Sequence, residues 1–362
     1  MDDFHLHLRD NTYLISTISE SIKTCQRAII MPNLQPPVTN TELAKQYKIR
    51  IENVINSLGI NNISMSPFLP LMTLYLTSSF TAKEIEIAHQ SGIVKAVKFY
   101  PQGATSYSTH GIPLNNYKSL LSLRSVFEKM SELRMPLLIH GEVTDKNVDI
   151  FDRESEFINQ FLKPLTEDFP NLKIVLEHIT TRDAVDFIQS CNSPNLAATV
   201  TAHHLLVNRN SIFENGINPH YYCLPIIKAE PDRVSLIEAV TSSSNENFFA
   251  GSDSAPHTIQ NKEKCCGCAG CYTGVATMEL YAQAFYNEGK LRTKQDWIVF
   301  EKFISENGAK FYNLPLNEQK VILRKQDWII PEQVPFGKES VKPFWAGKTL
   351  NFKLEHRNQQ YG

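Results

Sequence analysis

The chain has 362 residues, 42% of them hydrophobic and 20% charged, which fits a globular protein with an ample core. Its 36 basic and 38 acidic residues are evenly mixed, leave a formal charge of −2 and form no long basic run, so nucleic-acid binding has little to work with. Apolar stretches such as 65–76, interrupted by Pro67 and Pro70, fall far short of the roughly 20 residues a membrane helix needs.

The opening Met1-Asp2-Asp3-Phe4-His5 has neither the basic start nor the apolar run of a secretory signal. Seven cysteines is an odd number, and four crowd into 265–271, which does not suit a disulfide framework. A reducing cytoplasm is the expected setting, with no membrane and no nucleic-acid partner.

Short β-rich runs alternate with longer amphipathic ones, the pattern of a parallel sheet with helical crossovers. Strands are expected within 3–8, 27–31, 64–75, 94–100, 137–140, 173–178, 196–201 and 247–253. Thr81-Ala82-Lys83-Glu84 has capping-box spacing and Gly92 supplies a stop, predicting one crossover helix. Asn116 is placed to cap another, with Tyr117, Leu120, Leu121, Phe127 and Met130 on roughly one face and Pro136 ending it. Lys-Gln-Asp-Trp-Ile occurs at 294–298 and again at 325–329 in different surroundings, which reads as chance rather than a repeat. Beyond residue 330 the chain is rich in proline and aromatics, predicting a tail packed over the barrel. Length permits two domains, but a (β/α)8 barrel of about 250 residues with insertions fills such a chain as one unit. The expectation is one domain over 1–362, with 331–362 as a C-terminal extension.

Six chemistry-bearing residues fall on or near predicted strands. On a strand, His5 and His7 point the same way, either toward a metal or toward solvent from an exposed edge. His140 ends the fifth predicted strand, His178 the sixth and Asp253 the eighth, and Lys98 lies near the end of the fourth. In a barrel the C-terminal strand ends meet in one ring, so these residues converge; four imidazoles and a carboxylate suit zinc or a similar borderline cation. A protonated Lys98 fits badly beside a cation: its charge is removed, or it faces elsewhere, or it pairs with an acid. Arg9 follows His7 by two residues, hence on the same face, and offers a planar fork for a carboxylate.

The chain closely resembles the single-function bacterial dihydroorotases of the amidohydrolase superfamily. The resemblance is carried by Asp3-Phe-His-Leu-His-Leu-Arg-Asp10, Met31-Pro-Asn-Leu-Gln-Pro-Pro-Val-Thr39, Lys98-Phe-Tyr-Pro101 and Leu138-Ile-His-Gly-Glu-Val-Thr144. It continues through Glu177-His-Ile-Thr-Thr181, Asn208-Arg-Asn210, Tyr222-Cys-Leu-Pro225, Ser252-Asp-Ser-Ala-Pro-His257 and Cys266-Gly-Cys-Ala-Gly-Cys271. It implies a (β/α)8 TIM barrel of the metal-dependent amidohydrolase type that interconverts N-carbamoyl-L-aspartate with L-dihydroorotate plus water, in pyrimidine biosynthesis. It further implies two zinc ions: His5, His7 and Asp253 on the more buried one, His140 and His178 on the other, and carbamylated Lys98 bridging them. Asp253 also becomes the proton carrier. Arg9, Asn33 and His257 become the set that binds the substrate carboxylate, with backbone groups of Leu224 and Ala269 on the ring's amide edge. Related enzymes close the loop after the lysine over substrate through two adjacent hydroxyls, often both threonine; here they are Thr105 and Ser106. Family members are commonly homodimers.

Two features stay outside this assignment. Cys265, Cys266, Cys268 and Cys271 contain Cys-x-x-Cys spacing, but a zinc ribbon needs a second distant pair and none is visible. The resemblance makes them a substrate-side loop. His204 matches a family histidine and His203 does not, and neither joins the ligand set. Rival readings are a hydantoinase or allantoinase, which lack the Arg9, Asn33 and His257 set with the Cys-rich loop, and an inactive barrel retained as a binding partner, which would lack a metal ligand.

Overall fold

A computed structural model describes residues 1–59, 68–191 and 193–355. Eight parallel strands lie in chain order: β1 (Asp2–Leu6), β2 (Arg27–Ile30), β3 (Leu69–Tyr75), β4 (Val94–Phe99), β5 (Leu137–His140), β6 (Ile174–Glu177), β7 (Leu196–Val200) and β8 (Phe248–Ala250). Past β8 the chain bonds back to β1, with Asp253 N–H donating to the His5 carbonyl at 2.9 Å and a parallel bridge from Ser254 to Leu6. The barrel therefore closes. Residues 64–67 of the third predicted strand lie outside the described residues.

Alternation along the strands decides what fills the barrel. Phe4, Ile29, Leu71, Ala96, Leu138, Val175, Ala197 and Phe249, one from each strand, form a single buried cluster. Their sequence neighbours, such as Ile30, Val97, Ile139, Leu176 and Ala198, pack outward against the helices. Two residues further up, the inward positions become Lys98, His140, Glu177 and Thr199. The register shift between Asp3 and Leu6 breaks this parity on β1, so Phe4 sits in the barrel core while Leu6 and Leu8 join the outer one.

At the barrel floor the Phe4 ring lies 5.1 Å from both Phe249 and Tyr312, centroid to centroid. Gly308, in the helix Asn307–Phe311, presses against it: a Cβ there would stand 2.2 Å from the ring. Alanine is the better helix former by about 1 kcal/mol, but a ring fixed on two sides cannot yield, and overpacking costs about 1–3 kcal/mol. Gly308→Ala is expected to lower the urea midpoint with an unchanged m-value. An unchanged midpoint would show that the floor relaxes freely.

Two capping expectations meet the structure differently. Thr81 accepts from the Glu84 amide and Gly92 closes the helix Ala82–Ser91 in the left-handed region, but the Glu84 carboxylate bonds Thr41 instead of completing a box. Asn116 makes a full box with Ser119, and the expected helix is a contiguous run of an α turn, Tyr117–Leu120, a 3-10 turn, Leu121–Leu123, and an α-helix, Arg124–Glu132. The last ends at Glu132, and Arg134, in the left-handed region at φ 52°, turns the chain before Pro136.

The C-terminal segment packs on the barrel through its own strands. β9 (Ile322–Ile329) pairs antiparallel with the last strand, Thr349–Glu355, and a hairpin joins Val334–Phe336 to Glu339–Val341. Phe344, Leu350 and Phe352 are buried, and the Leu354 amide donates to Glu279 on the helix Thr277–Asn287. Residues 356–362 of the predicted extension lie outside the described residues. No described helix is long and apolar enough to cross a membrane.

Candidate active site

A pocket lies at the C-terminal mouth of the barrel, and most of the sequence-predicted residues line it: His5, His7, Arg9, Asn33, Thr105, Ser106, His140, His178, Leu224, Asp253 and Ala269. Lys98 lies fully buried beneath, and His257 reaches the pocket through Arg9.

The imidazoles are held from behind. His5 donates through Nδ1–H to Glu177 Oε2 at 2.6 Å, which turns its Nε2 toward Asp253 Oδ1 at 3.4 Å. His7 Nε2 faces the same oxygen at 3.0 Å. His140 donates through Nε2–H to Glu142 at 2.6 Å. The rings of His5 and His140 lie 5.0 and 4.8 Å from that of His178. The carboxylates behind His5 and His140 fix their tautomers and raise their basicity.

His178 and Asp253 do not end strands as expected. β6 stops at Glu177 and β8 at Ala250, and both residues sit in the left-handed region, at φ 42° and 44°. Tertiary bonds hold the first of these turns. The Thr199 hydroxyl accepts from the His178 amide and donates to Glu177, both at 2.7 Å. Buried Glu154 accepts from the amides and hydroxyls of Thr180 and Thr181. Asp3 fastens the strand ends, accepting from the amides of His5 and Ser252. Sequence reasoning gave Glu177, Glu142, Thr199, Glu154 and Asp3 no role. For Glu177 and Glu142 the signal was adjacency to a histidine inside the quoted motifs; Glu154 had none.

Arg9 also needs correction. Alternation cannot carry it, because β1 ends at Leu6; a left-handed residue, φ 61°, turns it into the pocket. Its Nε donates to the Pro256 carbonyl and its Nη2 to His257 Nε2, each at 3.1 Å, with Tyr107 stacked 5.9 Å away. The remaining guanidinium N–H groups are free of these bonds. The Thr105–Ser106 segment lies over the pocket, with the Ser106 hydroxyl 3.5 Å from the Ala269 carbonyl and the Asn33 amide 3.5 Å from the Ser106 carbonyl. Gly270 allows the facing loop to come close, since a Cβ there would stand 2.5 Å from the Ala255 carbonyl.

The donor set fits metal ions. Imidazole nitrogen and carboxylate oxygen on one zinc-like cation lie roughly 3.3 Å apart, close to the His5–Asp253 and His7–Asp253 separations. His5, His178 and Asp253 each offer a ligand atom within 4.8 Å of the others. Among the described residues Lys98 Nζ, Glu177 Oε1 and His178 Nδ1 are buried without a hydrogen-bond partner. Burial lowers the Lys98 pKa to about 8, against the pull of Glu177 and Asp253. Burial likewise brings His7 down to about 4. Burial alone would raise Asp253, but His5 and His7 outweigh it and keep the carboxyl well below its ordinary range.

A closed parallel barrel with histidines and an aspartate at its mouth over a buried lysine defines an amidohydrolase-type hydrolase. The dihydroorotase of Hahella chejuensis is 49% identical over 354 residues, covering 98% of this chain and 97% of that one. The chain belongs to the dihydroorotase family, whose reaction is hydrolysis of a cyclic amide. The Saccharomyces cerevisiae dihydroorotase, solved with 5-fluoroorotic acid, superposes with a TM-score of 0.84 at 31% identity, covering 98% of this chain and 96% of that one. The Arthrobacter aurescens L-hydantoinase, at 14% identity and TM-score 0.76 over 98% of this chain and 82% of that one, shares the fold alone. No family model matches the chain.

Proposed function

We propose that the chain is a two-metal dihydroorotase that reversibly cyclises N-carbamoyl-L-aspartate to L-dihydroorotate plus water in pyrimidine biosynthesis. One observation carries the reading: a metal-ligating cluster and the Arg9, Asn33 and His257 group share one small pocket. His5, His7 and Asp253 would hold one zinc ion and His140 and His178 the other, with carbamylated Lys98 between them. Bound there, the pair supplies a polarised carbonyl and a water of lowered pKa.

The chain's own groups do the rest. Arg9, braced by His257 and Pro256, holds the substrate carboxylate, with Asn33 beside it. Backbone groups of Leu224 and Ala269 meet the amide edge of the ring. In hydrolysis Asp253 takes the proton released as the ring amide opens and delivers it to the leaving ring nitrogen; in cyclisation it returns that proton as water departs. Thr105 and Ser106 hydroxyls cover the bound substrate and keep bulk water out. We read 1–362 as one catalytic unit with 331–362 as its extension, working as a cytoplasmic homodimer.

The test follows L-dihydroorotate by ultraviolet absorbance before chelation, after it, and after zinc is restored. Activity that disappears and returns with the metal is expected. A folded, metal-loaded sample without turnover would overturn the substrate assignment, and hydantoin and allantoin would be assayed next. The loop has its own test. Each lost hydrogen bond to a charged substrate is worth about 1.5–3 kcal/mol, so Thr105→Ala with Ser106→Ala is expected to lower kcat/KM by at least about tenfold at normal metal content. Unchanged kinetics would remove the loop from the mechanism.

A further inference from the structure

A second cluster of soft donors lies apart from the ligands assigned above. His203 and His204, on the short helix Ala202–Leu206 that follows β7, and Cys223 are all buried, and their ligand atoms lie within 4.8 Å of one another. Cys223 Sγ is 3.7 Å from His204 Nε2. Buried Cys271 is the neighbour that most pushes the Cys223 thiol up; the two thiols face the carbonyls of His220 and Pro225, at 3.5 and 3.4 Å, and both cysteines are unbridged.

The ordinary reading of such a cluster is a pair of satisfied core histidines. His204 meets that description, with Nδ1 at 2.7 Å from the Thr201 hydroxyl and Nε2 at 3.1 Å from the Pro225 carbonyl. His203 does not. It is 0% exposed, its ring packs 4.5 Å from that of His204 and 5.9 Å from Phe344, and neither of its nitrogens has a hydrogen-bond partner among the described residues. A buried imidazole aimed at a thiol and a second imidazole is what a metal ligand looks like before its ion is bound.

We propose that His203, His204, Cys223 and Cys271 form a structural site for a thiophilic divalent cation of the zinc type, separate from the catalytic pair. Two imidazoles and two thiolates are a standard tetrahedral zinc set, with donors roughly 3.3–3.6 Å apart; His203, His204 and Cys223, within 4.8 Å of one another, close by about 1 Å, and Cys271 turns from the His220 carbonyl to join them. Ligation through His204 Nε2 replaces that atom's bond to the Pro225 carbonyl, and Nδ1–H then donates to the Thr201 hydroxyl behind it, the usual arrangement for a metal-bound imidazole. Binding displaces one proton from each thiol, two per ion. The ammonium of buried Lys262, held by the carbonyls of Tyr222, Cys268 and Gly270, lies close enough to favour the resulting thiolates.

The placement gives the ion a purpose. Cys223 precedes Leu224, Cys271 follows Gly270, and the histidines follow β7, so one ion ties together the two loops whose backbone lines the substrate pocket. The surface cysteines Cys265 and Cys266 take no part, and the Cys-x-x-Cys spacing that draws the eye in the sequence is not the ligand pattern.

The experiment loads the full chain anaerobically with cobalt(II) and records its absorption spectrum beside its metal content. The catalytic donors are nitrogen and oxygen only, so they give no thiolate-to-cobalt charge-transfer band. The site proposed here gives one. The band is expected in the wild type, with loss of the band and of about one ion per chain in Cys223→Ser and in His203→Gln, and with both kept in Cys266→Ser. A fully cobalt-loaded wild-type protein without the band overturns the proposal and requires no variant to fold. A band that survives Cys223→Ser but disappears in Cys266→Ser or Cys268→Ser also overturns it, by moving the ion to the surface loop. Neither result depends on which cyclic amide the enzyme hydrolyses.

Discussion

Lys98→Ala is expected to fold, to lose on the order of 10³-fold or more in activity, about 4 kcal/mol of barrier, and to regain part of it when acetate or propionate is added. The reasoning starts from strand parity. Ala96 sits in the barrel core, so Lys98, two residues on, points inward at the level of His140 and Glu177. There it is 0% exposed, with Nζ 5.1 Å from the Tyr100 ring and no hydrogen-bond partner among the described residues. A lysine that served as a cation would have a carboxylate in contact. This one is pushed by burial to about 8, so an appreciable share of the chains holds a neutral amine near physiological pH. A neutral amine adds to carbon dioxide, forming an N–C bond and releasing one proton, and the product is a carboxylate in place of an ammonium. That group is the one two neighbouring cations require. A small carboxylic acid diffusing into the alanine cavity replaces the lost charge, whereas a small amine does not. Lys98→Arg keeps the positive charge and should stay inactive. If arginine restored turnover, or methylamine rescued alanine better than acetate, the side chain would be acting as a cation and the bridging role would be wrong.

Much of this site was legible in the sequence because strand parity and barrel closure are strong constraints. His5 and His140 lie on strands, and Lys98 follows from two-residue periodicity alone. What periodicity cannot see is a turn in the left-handed region. Arg9, His178 and Asp253 all reach the pocket through positive φ, and their places were found by composition and resemblance rather than by the face they were expected to occupy. The buried acid that holds the turn after β6 was less visible still. Glu154 acts from a helix 26 residues before Thr180, and no local pattern marks it. The repeated pentapeptide shows how weak local sequence can be. Residues 294–298 start the helix Lys294–Glu301, whereas the same five residues at 325–329 end β9. Thr293 caps the first copy, bonding the Asp296 amide at 3.2 Å, while pairing with Thr349–Glu355 extends the second. Both tryptophans nonetheless reach Phe352: the Trp297 ring lies 5.9 Å from its ring, and Trp328 donates to its carbonyl at 2.6 Å.

Asp253→Asn is expected to reduce kcat by about 10²–10⁴-fold while both catalytic metals remain bound. His5 and His7 both face Oδ1, at 3.4 and 3.0 Å. The proposed mechanism asks this carboxylate both to ligate and to carry a proton. The surrounding imidazoles hold the group ionised in spite of its burial, so it begins each hydrolytic turnover able to accept. Asparagine keeps the shape and an oxygen for the metal side, but its amide cannot take up a proton and deliver it to the leaving nitrogen. Because the equilibrium between substrate and product is independent of the enzyme, kcat/KM must fall by the same factor in both directions, and measuring both guards against an artefact of one assay. Elemental analysis of the same samples separates the two roles. Loss of activity with two catalytic ions retained assigns the proton to Asp253. If activity stays near wild type with both ions bound, another group carries the proton; if the defect is repaired by excess zinc, Asp253 serves as a ligand and nothing more.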